Sequence, residues 1–324
     1  MSRSVVRWEM GFPGCLISFT QRRIRDERGS AVIIVALAMM VLFSFAALVI
    51  DLGLIYLTRA RLVNAADAAA LAGVGALPDD PAEARTLAES FAVHNGVAPG
   101  RISVGISEDR REIAVELSQD VELSFARVFG ISTVRVGARS RAEVGIVRGL
   151  WGAVPFGVKQ QDLEYGVQYT LKYGAGGEGV PYHGNFGALA LGGRGANNYR
   201  ANIISGYQGI LRVGDEVGTE PGNMAGPTRQ GIQDRIGRCH HSPPCTYQHF
   251  TPGCPRVIYV PIIDSLDVHG RGTATIVGFA AFFLEGIEGQ GGHADVVGRF
   301  LRLVTDAEIG GNQDFGLRSS RLVE

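Results

Sequence analysis

The densest run of chemistry-bearing side chains is CHHSPPCTYQHFTPGC, Cys239 to Cys254. Three cysteines and His240, His241 and His249 fall within these sixteen residues. Thiolates and imidazoles are zinc ligands, and three thiolates with one histidine, or two of each, suit a tetrahedral ion. Cys239, His241, Cys245 and Cys254 form one such set, although their spacing matches no standard zinc finger. Oxidation is the competing chemistry. In an oxidising compartment one disulfide is expected among Cys239, Cys245 and Cys254, with three pairings open and one thiol left over. The topology argued below places this loop outside the cytoplasm. The disulfide is therefore the leading expectation, with incidental free thiols second and zinc third. Either bond would clip a Pro-rich loop that has no core of its own.

Other patterns carry less. Gly174 to Gly179 reads G-x-G-x-x-G, but Val180-Pro181 follows where a dinucleotide site needs a helix N-terminus. Gly187 to Gly192 has phosphate-loop spacing, yet Gly193-Arg194 stands where Lys-Ser/Thr should reach phosphate and magnesium. A turn is expected there. Neither H-E-x-x-H nor G-x-S-x-G is present. Asp264, Asp267 and His269 hold acid–base groups, and a turn whose carboxylates bind backbone amides is the expected reading. No catalytic residue and no cofactor site is assigned.

These candidates must be carried by something, and the organising stretch is Ala31 to Ile50. Its twenty residues contain no charge, proline or glycine. A helix of that length spans roughly 30 Å, a bilayer's hydrocarbon thickness. Six arginines precede it: Arg3, Arg7, Arg22, Arg23, Arg25 and Arg28. Excess positive charge marks the cytoplasmic side, so the N-terminus is expected inside and the rest outside. A cleavable signal has a shorter apolar core and a nearby small-residue site, so a retained single-pass anchor is expected. The formal net charge of −1 gives no electrostatic case for nucleic acid. Lys159 and Lys172 are the only lysines among 31 basic residues.

From Asp51 to Ala76 there is no proline and alanine is dense, so the helix is expected to run on. Leu52, Ile55, Leu62, Ala66, Ala69 and Gly73 share one face, whose small members admit another helix. Asn64 and Asp67 lie three apart on a shared side. They are either a polar register key between packed helices or a solvated edge.

The string RGSAVIIVALAMMVLFSFAALVIDLGLIYLTRARLVNAADAAALAG resembles the N-terminal domain of TadE/TadG-like proteins of Flp-pilus (tight adherence) assembly systems. The matching residues are Arg28-Gly29, Asp51, Gly53, Tyr56, Arg61 and the closing Asn64 to Ala72. The stretches from Asn185 to Ile236 and from Pro255 to Gly286 are similar to the C-terminal part of TadG-like proteins from Gram-positive-type bacteria. The resemblance implies a membrane-anchored, pilin-like component of pilus assembly or secretion. Its implied partners are the membrane, other pilin-like subunits and the assembly machinery, with self-association possible. Flp-type prepilins share a glycine cleavage site with glutamate five residues on; here the fifth residue after Gly29 is Ile34, which favours an unprocessed anchor. Asp264-Ser265-Leu266-Asp267 departs from the D-x-S-x-S metal site of longer relatives, so that site is not carried over.

Beyond the stalk, Asp80 is an expected helix cap, with Pro81 at the first position and Glu83 completing a capping-box-like pair. Ala84, Leu87, Ala88 and Phe91 form the expected buried stripe, and Asn95-Gly96 the stop. Ile102/Val104/Ile106 and Ile113/Val115/Leu117 alternate as a hairpin, a short helix closes at Gly130, and a third strand starts at Val134. From Arg148 on, glycine and proline become frequent. Strands are expected at 167–173, 185–191, 256–263, 273–284 and 294–304, with a short helix at 227–235.

The expected fold is α+β. A basic N-terminus (1–29) precedes a transmembrane and stalk helix (30–77). A small α-β-β-α-β headpiece (78–148) and a β-rich domain (149–324) follow. Three functions fit in decreasing order: a non-enzymatic pilus-assembly component, an extracytoplasmic binding or adhesive domain on a borrowed anchor, and a tethered hydrolase without a convincing catalytic set.

Overall fold

A computed structural model describes residues 27–172, 187–265 and 271–323. The Gly174–Gly179 motif, Asp267, His269, Cys15 and the arginines at 3–25 lie outside the described residues.

In chain order the elements are α1 (Glu27–Val74), α2 (Pro81–His94), β1 (Ile102–Ile106), β2 (Glu112–Glu122), β3 (Thr133–Trp151), β4 (Val158–Lys159), β5 (Gln168–Lys172), β6 (Leu189–Ala190), α3 (Ala196–Ser205), β7 (Ile210–Arg212), β8 (Glu216–Thr219), α4 (Ala225–Gly237), β9 (Val257–Ile263), β10 (Thr273–Glu288), β11 (Asp295–Leu301), β12 (Leu303–Thr305), β13 (Glu308–Ile309) and β14 (Leu317–Val323). A 3₁₀ turn at Ala126–Phe129 stands where the headpiece's short second helix is expected, and Gly130 closes it at φ 84°. The chain is thus α+β, with a long apolar N-terminal helix and a β-rich C-terminal domain.

Two compact units result. The first comprises the chain to Leu54 together with Leu123–Ser132. Its part of α1 is long and apolar enough to cross a membrane. Val32, Met40 and Phe43 are 69%, 66% and 65% exposed, so among the described residues nothing covers this surface. The 123–132 segment closes on itself through the Leu123 N–H, which donates to the Ser132 carbonyl at 2.9 Å.

The second unit comprises Ile55–Glu122 and Thr133–Glu324. Leu62, Ala65, Ala66, Ala69, Ala70 and Val74 form a buried stripe on this part of α1. Against it lies α2, whose Asp80 cap accepts from the Ala82 and Glu83 N–H groups at 3.0 and 2.9 Å. The buried face of α2 is Ala84, Ala88 and Ala92. Phe91, expected inside, is 45% exposed, because close approach of α1 leaves room only for alanine.

A seven-stranded sheet runs β1-β2-β3-β14-β12, with β13 and β7 also on β3. β3 continues through residues 148 and 149, and β14 pairs with it antiparallel from Arg318↔Ile146 to Val323↔Arg141. The boundary expected at 148/149 therefore falls inside a strand, and the chain's last strand belongs to the headpiece sheet. A second seven-stranded sheet runs β4-β9-β10-β11-β5, with β8 on β10 and β6 on β8. β10 is buried on both faces. Phe279, Ala281 and Phe283 join one core with Val147, Leu150 and Leu317, while Ala280, Phe282 and Leu284 join another with Tyr199, Ile203 and Ile232. The period-two alternation of a strand makes this partition. Full burial of each phenylalanine is worth about 2–3 kcal/mol.

Candidate functional site

The Cys/His loop bridges two rigid elements. α4 ends at Gly237, and the Cys239 N–H still donates to the Ile236 carbonyl at 3.0 Å. Cys254 lies three residues before β9, where its carbonyl accepts the Val257 N–H at 3.0 Å. Two arginines fix the ends. Arg235 Nε donates to the Pro255 carbonyl at 2.6 Å, and its Nη1 to the Ile203 carbonyl at 2.8 Å. The Arg256 guanidinium lies 4.7 Å over the Phe283 ring. It donates to the carbonyls of Leu284, Glu285 and Cys245 at 2.9, 3.1 and 3.1 Å. Both arginines spend these donors on backbone oxygens.

This frame brings four donor atoms together. His241 Nδ1 is 3.5 Å from Cys239 Sγ and 3.3 Å from Cys245 Sγ, and Cys239 Sγ is 3.5 Å from Cys254 Sγ. All four ligand atoms lie within 4.8 Å of one another. Cys245 and Cys254 are buried in the core that holds Phe279 and Phe283, with Tyr247 and Phe250 packed around them. His240 and His249 are outside the group. The three cysteines stand here as separate thiols. A bonded pair needs sulfurs about 2.05 Å apart; here His241 Nδ1 stands beside Cys239 and Cys245.

The sulfurs are also unequal. Burial raises the Cys239 thiol, but hydrogen bonds from the side chain and backbone of His241, and from Cys254 and Cys245, outweigh it and bring it to about 6. Burial pushes the Cys254 thiol up to about 12, against a hydrogen bond from the Arg256 backbone N–H.

The remaining sequence candidates separate. Asp264 Oδ1 accepts the N–H groups of Ser265 and Thr275 at 2.7 and 2.9 Å. Burial raises this carboxyl, but those bonds hold it below its ordinary value, as in an amide-binding turn. The Gly195 N–H at the start of α3 donates to Glu220 Oε1 at 3.0 Å, so the chain's own carboxylate occupies the place a phosphate would take. A cleft of about 760 Å³ lies between Arg59 and Val63 of α1 and strands β1–β3. Its Arg101 and Arg135 pair with Asp120, and its Arg139 with Glu116, and no nucleophile–base pair lines it.

On α1, Asn64 is exposed and Asp67 half-buried. Ala66, Ala69 and Gly73, expected to receive another subunit's helix, are packed inside this chain. A Cβ on Gly73 would stand 2.6 Å from Ile113 Cδ1, 2.7 Å from the Ala84 carbonyl oxygen and 3.0 Å from Ala88 Cβ. At Gly73 the small face admits α2 and Ile113, and Ala66 and Ala69 are fully buried.

Sequence reasoning missed the partner of Asp51. Its carboxylate is 4% exposed and accepts three backbone N–H groups, from Ser124 at 3.0 Å, Phe125 at 3.0 Å and Ala126 at 2.7 Å. The signal was an acid placed directly after an apolar run, where an unpaired charge would be costly. The segment so held presents Val128 and Phe129, each 84% exposed.

These features define a class: an α+β chain carried on one long apolar helix, with no assembled catalytic set among the described residues. Residues 29–76 match the family model described as "Putative Flp pilus-assembly TadE/G-like". The match covers the apolar stretch, Asp51 and the small-residue face, and stops before α2. No curated protein and no solved structure gives a match.

Proposed function

We propose that this chain is a single-pass, membrane-anchored, pilin-like component of a Flp/Tad-type pilus assembly or secretion system, acting without catalysis. The observation that carries the reading is the helical surface from Ala31 to Ile50. It is uncharged throughout and uncovered among the described residues, within the stretch that matches the pilus-assembly family. Such a surface is stable in lipid, where a helix satisfies its own backbone. The preceding arginines favour a cytoplasmic N-terminus, with residues 52–324 on the outer side. Asp51 marks the exit, and the apolar tip at Val128 and Phe129 suits the interface beside it. Because Ala66, Ala69 and Gly73 are occupied internally, pilin-like subunits and assembly machinery meet the chain through the span and the outer surface instead.

Protease added to intact spheroplasts tests the topology. The outer residues are expected to be removed, leaving a protected fragment that contains 27–50. A C-terminal tail that survives in spheroplasts and is degraded only after lysis reverses the orientation.

A further inference from the structure

We propose that Cys239, His241, Cys245 and Cys254 form a structural Zn²⁺ site, with three thiolates and the Nδ1 of His241 as ligands. This inference rests on the loop alone and does not depend on the membrane reading.

Geometry comes first. In a tetrahedral zinc site, Zn–S is about 2.3 Å and Zn–N about 2.0–2.1 Å. Those lengths place neighbouring sulfurs about 3.8 Å apart, and sulfur and nitrogen about 3.5 Å apart. The observed separations of 3.5 Å for Cys239 to Cys254, 3.5 Å for Cys239 to His241 and 3.3 Å for Cys245 to His241 are of that size. Two of the sulfurs belong to buried residues within the apolar core, so one point is surrounded by four soft or borderline donors. Four protein ligands leave no open coordination position, which is the arrangement of a structural rather than a catalytic zinc.

The surroundings fit the same ion. The Arg256 guanidinium donates to the Cys245 carbonyl at 3.1 Å and so braces the backbone of one ligand residue. Binding would release a proton from each thiol that carries one, and neutral His241 would donate the lone pair on Nδ1. Zinc undergoes no redox step, so nothing else need balance. The spacing C-x-H-x₃-C-x₈-C fits no finger because the convergence is made by α4 and β9, held by Arg235 and Arg256, and not by a short knuckle.

The test uses the full chain in detergent, reduced and free of oxygen, titrated with Co²⁺ alone and then Zn²⁺ alone. The expected result is one equivalent of Co²⁺, with thiolate charge-transfer absorption and the intense visible bands of tetrahedral cobalt, displaced by one equivalent of Zn²⁺. His241→Ala should weaken binding by more than about tenfold and alter the visible bands, while His240→Ala and His249→Ala leave both unchanged. Cys254→Ser should abolish the tetrahedral spectrum, and the wild-type titration and the His241→Ala comparison decide independently of whether that variant folds. Weak octahedral bands, a stoichiometry near zero, or loss equal at His240 and His241 overturns the assignment. So does a mass-spectrometric cross-link between any two of the three cysteines in the chain as purified.

Discussion

Asp51 accepts the Ala126 N–H at 2.7 Å across 75 positions of sequence, and its two oxygens also take the N–H groups of Ser124 and Phe125. One carboxylate thereby satisfies three consecutive backbone donors at the start of a 3₁₀ turn. This makes Asp51 a clamp. It fixes the segment that displays Val128 and Phe129 to the point where the apolar run ends. Asp51→Ala should leave helix content unchanged and raise hydrogen exchange at Ser124, Phe125 and Ala126 by at least about tenfold. Exchange at Ala84 and Ala88 serves as the internal control. Unchanged protection at 124–126 would show that the turn holds itself without the clamp.

Gly73 tests where the small-residue face is used. A side chain there meets Ile113, the Ala84 carbonyl and Ala88, two of them at backbone or short side-chain positions that cannot swing away. Gly73→Ala gains about 1 kcal/mol of helix propensity but costs about 1–3 kcal/mol in overpacking. Gly73→Leu costs more. Asn64→Leu, on the exposed side of the same helix, should stay within about 0.5 kcal/mol. Urea unfolding of the full chain in detergent reads all three. If Gly73→Leu unfolds at the wild-type midpoint, α2 does not cover this face and it is free for another subunit.

The legible parts of the fold are those with a local signal. The apolar run, the Asp80 cap, the alternation in β1 and β2 and the apolar runs of β9 and β10 each announce an element from its own residues. α3 does not. In ANNYRANIIS only Tyr199, Asn202 and Ile203 are buried, and Asn202 holds the helix by donating to the Leu191 carbonyl at 2.8 Å. That bond is tertiary and leaves no periodicity. β14 was missed for a related reason, since its partner β3 lies far away along the chain. The site divides the same way. Composition showed the donors at 239–254, while their convergence depends on Arg235 and Arg256 bonding to carbonyls of other segments. Likewise the small face of α1 announced a close neighbour without saying that the neighbour is α2.

Lys172, one of the two lysines, is fully buried in the second unit, and its Nζ donates to the Asn223 carbonyl at 2.7 Å. Burial lowers its pKa from the ordinary 10.5 to about 8, and the charge of Asp295 only partly offsets this. Between those two values the unfolded chain keeps a proton that the folded chain has released. Stability therefore rises with pH across that window and levels off above it. Below the window the buried ammonium weakens the fold by on the order of 3 kcal/mol relative to an unshifted lysine. Lys172→Met removes the titrating group. It should flatten the rise between pH 8 and 10.5, and its loss of the Asn223 hydrogen bond costs about 1–2 kcal/mol at every pH. Denaturant midpoints of both proteins across this range give the comparison. A wild-type curve that is flat there, or a methionine variant that keeps the rise, would place the titration elsewhere.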